Sequence, residues 1–382
     1  MDLPNVSSLW AVASGRKSDA TTRRFAGASD RGLTPRVAVV CSEEKGTKGA
    51  AASSEGRIYD RTRNQLDRDV TFIRMLPASL LANLRAGEVD GVILQGSAIL
   101  PMLASELSSA FDEASVPYLF DLDADLLNAA SGDDPGGPDA EHTSMLRQLF
   151  GKATVATVST PSLHSAYRPL RRNLVLLPDK LSLALWRGLA AERQPDGLVR
   201  GLCMGSAAEG ANIELARAAL ERVARKHSEF RLAVIGPTEE ELCGWAWAER
   251  IQPPSDADSH SRFVSWLRSI ADQFDFAIAP LEDTASNACK SPMTIFEYGA
   301  LGLPVLASDV PAYREIARIA PGVEAVTNTV DSWASAILRQ VKLRSENRRN
   351  EGLSLRRWVL ETQALEPTLS DFDVMIPLRG ID

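Results

Sequence analysis

The chain has 382 residues, 45% of them hydrophobic and 24% charged, with a formal net charge of −8. That length exceeds one ordinary hydrophobic core and suits two, and the balance of residue types excludes wholesale disorder. The acidic surplus also speaks against a nucleic-acid binder, whose footprint is a basic face.

Taken in chain order, residues 1 to 34 are rich in Ser, Ala, Thr, Arg and Gly and read as a mobile leader. The apolar run Leu9–Ala13 lacks the basic start of a secretory signal, and no stretch approaches the roughly 20 apolar residues of a membrane span. Peripheral contact with a membrane surface stays open. Arg36–Cys41 reads as a buried parallel strand, followed by a small-residue loop from Gly46 to Gly56. Further strands are expected at Val70–Ile73, Gly91–Leu94, Tyr118–Asp121, Thr154–Val158 and Leu174–Leu177. Amphipathic helical stretches, Leu100–Ala114 and Thr143–Phe150 among them, lie between these strands. The loop Ser131–Pro138 interrupts the pattern, and around Arg193–Gly197 the composition turns polar. The alternation then restarts with Gly201–Met204, Asn212–His227, Arg231–Ile235, Phe276–Pro280 and Pro304–Ser308, and the tail carries one helix-like stretch at Leu353–Leu365. The expected fold is α/β, with two Rossmann-like domains at 35–194 and 195–350. Cys41, Cys203, Cys243 and Cys289 show no CxxC spacing, and the four histidines are dispersed. This points away from a zinc site or a disulfide framework and toward a reducing, cytoplasmic setting.

Ligands of such sheets bind at the carboxyl ends of the strands. Two of those ends are informative. Met204 is followed by Gly205 and Ser206 before a helix, a turn that brings backbone close to a ligand, yet it lacks the full dinucleotide fingerprint and the Walker lysine. After Pro280 comes a polar loop, then Lys290, then Ser291 as an expected N-cap with Pro292 at the first helical position. The helix that follows is apolar except for Glu297, a carboxylate costly to bury without a partner. Lys290 and the helix N-terminus could hold a diphosphate, and Glu297 the hydroxyls of a ribose; a salt bridge or a solvent-facing Glu297 is the plainer alternative. Asp121, Asp123 and Asp125 end a strand and either line a cleft or are simply a polar strand end. His142, after the 131–138 loop, is the histidine to watch, or else a helix cap.

The segment Ala279–Tyr313 (APLEDTASNACKSPMTIFEYGALGLPVLASDVPAY) resembles the donor-binding signature of GT-B glycosyltransferases, in particular the retaining group 1 (GT4-like) family. The resemblance implies two Rossmann-like domains facing across a cleft, with a C-terminal helix in 351–382 packing back on the N-terminal domain. It implies a nucleotide-diphospho-sugar donor held by the C-terminal domain and an acceptor (glycan, lipid-linked glycan or protein) held by the N-terminal one. By resemblance Glu297 is the second glutamate of the family's E-x7-E motif, while Lys290, Ser291 and Asn287 face phosphates or sugar. The implied donor set is Gly205, Ser206, Pro280, Asn287, Lys290, Ser291, Pro292 and Glu297, with Lys290 and Glu297 closest to catalysis. Asp121, Asp123 and His142 are the acceptor-side candidates. The implied chemistry is hexosyl transfer with retention, without a metal or other cofactor, in a process such as polysaccharide biosynthesis. Departures are specific: Cys289 stands where the motif has its first glutamate, Thr294 replaces a family lysine, and no basic pair follows Met204. They keep a second reading alive, a catalytically silent GT-B module that binds nucleotide sugar or scaffolds a glycan-assembly complex.

Overall fold

Short runs of Val, Ile, Leu and Ala, buried on both faces, build two parallel sheets in this chain. The computed structural model describes residues 34–42, 55–63, 70–128, 140–188, 196–205, 210–236, 242 and 244–365. The expected leader, most of the 46–56 loop, the 131–138 loop and Ser206 lie outside the described residues.

The first sheet contains β1 (Arg36–Val40), β2 (Thr71–Arg74), β3 (Gly91–Gln95), β4 (Tyr118–Leu122), β5 (Val155–Val158) and β6 (Leu174–Leu176). Their order is β2-β1-β3-β4-β5-β6, all parallel. Parallel strands need crossovers, and α1 (Pro77–Ala86), α2 (Pro101–Ala114), α3 (Ala140–Lys152) and α4 (Pro161–Tyr167) supply them. Leu80, Leu107, Phe120, Leu146, Phe150 and Tyr167 are buried in the core these elements share.

After β7 (Leu181–Ser182) and a short helix at Leu183–Trp186, the second sheet repeats the design. It contains β8 (Val199–Met204), β9 (Phe230–Ile235), β10 (Ala248–Arg250), β11 (Phe276–Ala279), β12 (Val305–Ser308) and β13 (Val323–Val326). The order is β10-β9-β8-β11-β12-β13, so the winding reverses between β8 and β11. The helices α5 (Gly210–Lys226), α6 (His260–Ser269), α7 (Met293–Ala300), α8 (Pro311–Ile319) and α9 (Val330–Lys342) cover it with a separate core on each face.

The described residues end with α10 (Ser345–Thr362) and β14 (Ala364–Leu365). The expected tail helix therefore starts well before residue 351. It packs along α7 of the second domain, where Leu355 and Val359 join Phe296 and Tyr298. Gly352 makes the approach close: a Cβ there would lie 1.8 Å from the Gly302 carbonyl oxygen. Leu181 and Trp186, on the first-domain side of the expected boundary near 195, are buried in this same second-domain core. Arg356 Nη2 caps the short 183–186 helix by donating to the carbonyls of Trp186, Arg187 and Gly188 at 3.2, 3.0 and 3.0 Å. β14 pairs with β7, so the end of α10 meets the chain just where it leaves the first domain.

A buried ion-pair network holds the other side of that crossing. Arg57 lies in a π-helical turn, Glu55–Tyr59, and its guanidinium grips Asp121 through Nε at 2.7 Å and Nη2 at 2.5 Å. Its Nη1 reaches Asp179 at 3.2 Å and the Leu177 carbonyl. Arg61 Nη2 donates to the Pro178 carbonyl at 2.9 Å. All three charges are buried, and their burial is offset by direct pairing: Asp121 takes two N–H donors of Arg57, and Asp179 takes one.

Candidate donor site

Winding reversal leaves a crevice beyond the carboxyl ends of β8 and β11, and a pocket opens there. It is lined by Gly205, Asn212, Pro280, Leu281, Thr294 and Tyr313 among others. Gly205 N–H donates to the Ile235 carbonyl at 3.0 Å, and Gly236 must pass directly over Gly205. A Cβ on Gly236 would stand 1.6 Å from the Gly205 oxygen, and its φ of +120° is itself glycine territory. Two of the expected donor residues, Gly205 and Pro280, thus meet in one pocket from elements far apart in sequence.

Helix α7 forms the adjoining wall. The sequence places its N-cap at Ser291; the structure places it at Pro292, with φ −78° and ψ 26°, and no side chain caps it. Proline's fixed φ and a ψ near the bridge region delay the helix to Met293, so Ser291 sits too early to reach the first-turn amides. Tyr298 is fully buried, and its hydroxyl accepts the Met204 N–H at 2.6 Å, locking α7 to the end of β8. Burial holds the Tyr298 phenol well above its ordinary pKa, so it stays neutral.

Glu297 follows Thr294 by three residues and shares its side of α7. Its residue is partly buried, and among the described residues no hydrogen bond or ion pair reaches its carboxyl group. Desolvation by burial raises its pKa to about 7. Neither a salt bridge nor a freely solvated carboxylate describes it.

The polar loop ahead of α7 is built in two turns. Thr284 caps a short helix, Ala285–Ala288, by accepting the Asn287 N–H at 3.1 Å. The Asn287 amide then donates to the Glu282 carbonyl at 3.0 Å, which holds the loop closed and puts partly buried Lys290 ahead of α7. Cys289 turns the other way. Its side chain packs with the core of the first domain, and its carbonyl accepts the Thr160 hydroxyl at 3.1 Å. Burial, reinforced by Asp125, pushes the thiol up to about 11. Position 289 therefore joins the domains rather than lining the pocket. Cys289→Glu should not restore a donor contact. The new carboxylate would enter an apolar core near Asp125, and the melting temperature should fall by about 5 °C or more. Differential scanning fluorimetry reads this directly, and an unchanged or higher melting temperature would contradict the placement.

The three acceptor-side candidates are spread through the first domain. Asp121 is fully buried and engaged by Arg57 and by the Thr157 hydroxyl. Asp123 is partly buried and accepts from Gln95 Nε2 at 2.8 Å, and the same Gln95 takes the Ser42 N–H at 3.0 Å. His142 is buried on α3 with Nε2 3.0 Å from the Ile99 carbonyl. Asp123 stands at the carboxyl end of the first sheet; Asp121 and His142 are spent on internal contacts. Asn212, Thr294 and Tyr313 also line the pocket without being among the expected donor residues; Thr294 and Tyr313 fall within the 279–313 segment, whereas no short motif marks the face of α5 that carries Asn212. No cluster of three or more His, Cys, Asp or Glu among the described residues could hold a metal ion. No described helix is long and apolar enough to cross a membrane.

Comparison with known proteins agrees with this fold. The family model of glycosyl transferases group 1 matches residues 200–342. No curated protein shows significant sequence similarity to the chain. Among solved structures, HepE from Anabaena, in complex with UDP and glucose, is 10% identical, covers 86% of this chain and 95% of its own, and superposes with a TM-score of 0.60. Sucrose-phosphate synthase from Thermosynechococcus elongatus is 12% identical over 86% of this chain and 95% of its own, with a TM-score of 0.59. TarM, known from S. aureus, is 10% identical over 72% of this chain with a TM-score of 0.54, and the match spans only 52% of TarM. The resemblance carried by Ala279–Tyr313 is thereby shown: over residues 200–342 the chain matches group 1 glycosyl transferases, and over most of its length it has the GT-B fold.

Proposed function

We propose that this protein is a glycosyltransferase that takes a sugar from a nucleotide-diphospho-sugar bound in the pocket between β8, β11 and α7. The observation that carries the reading is Glu297, a partly buried carboxyl group with no partner among the described residues, one turn along α7 from the pocket. A ribose with two adjacent hydroxyls supplies the donors such a group lacks. Support comes also from HepE, whose structure holds UDP and glucose in the same fold.

In this reading the uncapped N-terminus of α7 and Lys290 face the diphosphate, and their fixed positive charge stabilises the departing nucleotide as the anomeric carbon gains positive character. Ser291 and Asn287 complete the phosphate and sugar side. The acceptor enters from the first domain past Asp123. Transfer goes with retention and without a metal, to a glycan, a lipid-linked glycan or a protein, in the cytoplasm. A peripheral membrane contact is compatible with this.

A second reading is favoured by one observation: Cys289 packs into the first domain, so the pocket lacks the carboxylate of the motif's first position. A catalytically silent GT-B module would bind the nucleotide sugar and release no nucleotide. The Lys290→Ala variant tests the donor pose. Affinity for a nucleoside diphosphate should fall about tenfold or more, while affinity for the matching nucleoside stays within about twofold. Equal losses in calorimetry would remove Lys290 from the phosphate site.

A further inference from the structure

Behind the pocket a closed ring of hydrogen bonds fastens both backbone groups of one residue, Leu281. Leu281, in the pocket wall, donates its N–H to Ser308 Oγ at 2.8 Å. The Ser308 hydroxyl donates onward to Asn328 Oδ1 at 2.7 Å, and Asn328 Nδ2 returns to the Leu281 carbonyl at 2.9 Å. Trp333 Nε1–H also donates to Asn328 Oδ1, at 3.3 Å.

The ring runs in one sense. Leu281 N–H occupies a lone pair of Ser308, which leaves the hydroxyl hydrogen for Asn328. Two donors on Oδ1 fix the orientation of the amide, so its NH2 group must face the Leu281 oxygen. Ser308, at the end of β12, and Trp333, on α9, are fully buried and supply a rigid backing. The backbone of the next residue, Glu282, is held as well. Asn212 Oδ1 accepts the Glu282 N–H at 3.1 Å, and Asn287 Nδ2 bonds the Glu282 carbonyl at 3.0 Å. A loop that would otherwise be mobile is thus clamped where it forms the pocket wall and leads to Lys290.

We propose that Ser308 and Asn328 are positioning residues for donor binding, acting through the Leu281–Glu282 backbone. The inference rests on the donor reading of the pocket. Three variants separate geometry from bulk. Asn328→Asp keeps an acceptor for Ser308 and Trp333 but sets a carboxylate oxygen against the Leu281 carbonyl. Ser308→Ala removes the middle of the ring, and Ser308→Thr keeps its hydroxyl.

Calorimetry would use UDP, GDP, dTDP and ADP with the full chain. Amide hydrogen exchange over residues 281–284 would be followed in nucleotide-free protein. Asn328→Asp and Ser308→Ala should weaken the nucleotide that binds by about tenfold and speed exchange in the loop, with native circular dichroism. Ser308→Thr should stay within about twofold of the parent. Should Asn328→Asp fail to fold, the Ser308 pair decides the matter. Unchanged affinity together with unchanged loop exchange would overturn the proposal. Parent protein that binds none of the four nucleotides would overturn the donor reading itself, and the exchange arm then decides separately whether the ring holds the loop.

Discussion

Arg57→Ala should destabilise the first domain by about 3–5 kcal/mol, a loss in the unfolding midpoint on the order of 10 °C. The size of the effect follows from what is left behind. Asp121 and Asp179 are both buried, and Arg57 is the cation between them. Removing it leaves two carboxylates without an ion-pair partner among the described residues, and the Leu177 carbonyl loses a donor as well. Arg57→Lys keeps the charge but cannot form the two-pronged contact with Asp121, so it should recover only part of the loss. Chemical denaturation monitored by tryptophan fluorescence would measure both variants. A cost below about 1 kcal/mol for Arg57→Ala would mean that water or a shifted side chain satisfies Asp121, against the network described.

The second large effect concerns binding. Glu297→Ala should weaken nucleotide diphosphate affinity by about 10- to 100-fold, the equivalent of losing charge-assisted hydrogen bonds to two hydroxyls. Its pH dependence has a definite sign. Burial raises the carboxyl pKa from its ordinary 4.5 to about 7, so between those values the folded chain holds a proton that the unfolded chain has released. The contribution of this group to stability is therefore complete below 4.5 and is lost as the pH rises through about 7. Ribose hydroxyls that donate to the ionised carboxylate favour the opposite state. Nucleotide affinity should then rise from about pH 6 to about pH 8, and Glu297→Gln should flatten that rise. An equal rise in Glu297→Gln would place the titrating group elsewhere.

Much of the scaffold was legible because parallel strands buried on both faces leave uninterrupted apolar runs. Arg36–Val40, Gly91–Leu94, Tyr118–Asp121 and Phe276–Ala279 all show this. Strands β10 and β13, Ala-Glu-Arg and Val-Glu-Ala-Val, were not, since charged residues on sheet edges break the run. Within the segment 279–313, Pro280, Leu281, Thr294 and Tyr313 line one pocket, which Gly205 joins from the end of β8. What the sequence hid was direction. Asp121 reads as a strand-end carboxylate, and only Arg57, 64 residues away, reveals it as half of an ion pair. Cys289 reads as a drifted catalytic position, and only the packing of the first domain shows that its side chain faces away from the pocket. Asn328 carries no local signal at all, because its role arises from a ring closed across 47 residues.

The donor site is the central claim, and calorimetric titration of the intact protein and Glu297→Ala with UDP, GDP, dTDP and ADP tests it most directly. The expected result is selective binding of one nucleoside diphosphate by the parent, weakened about tenfold or more in Glu297→Ala. No binding of any of the four, or equal affinity in the variant, would contradict the site as described.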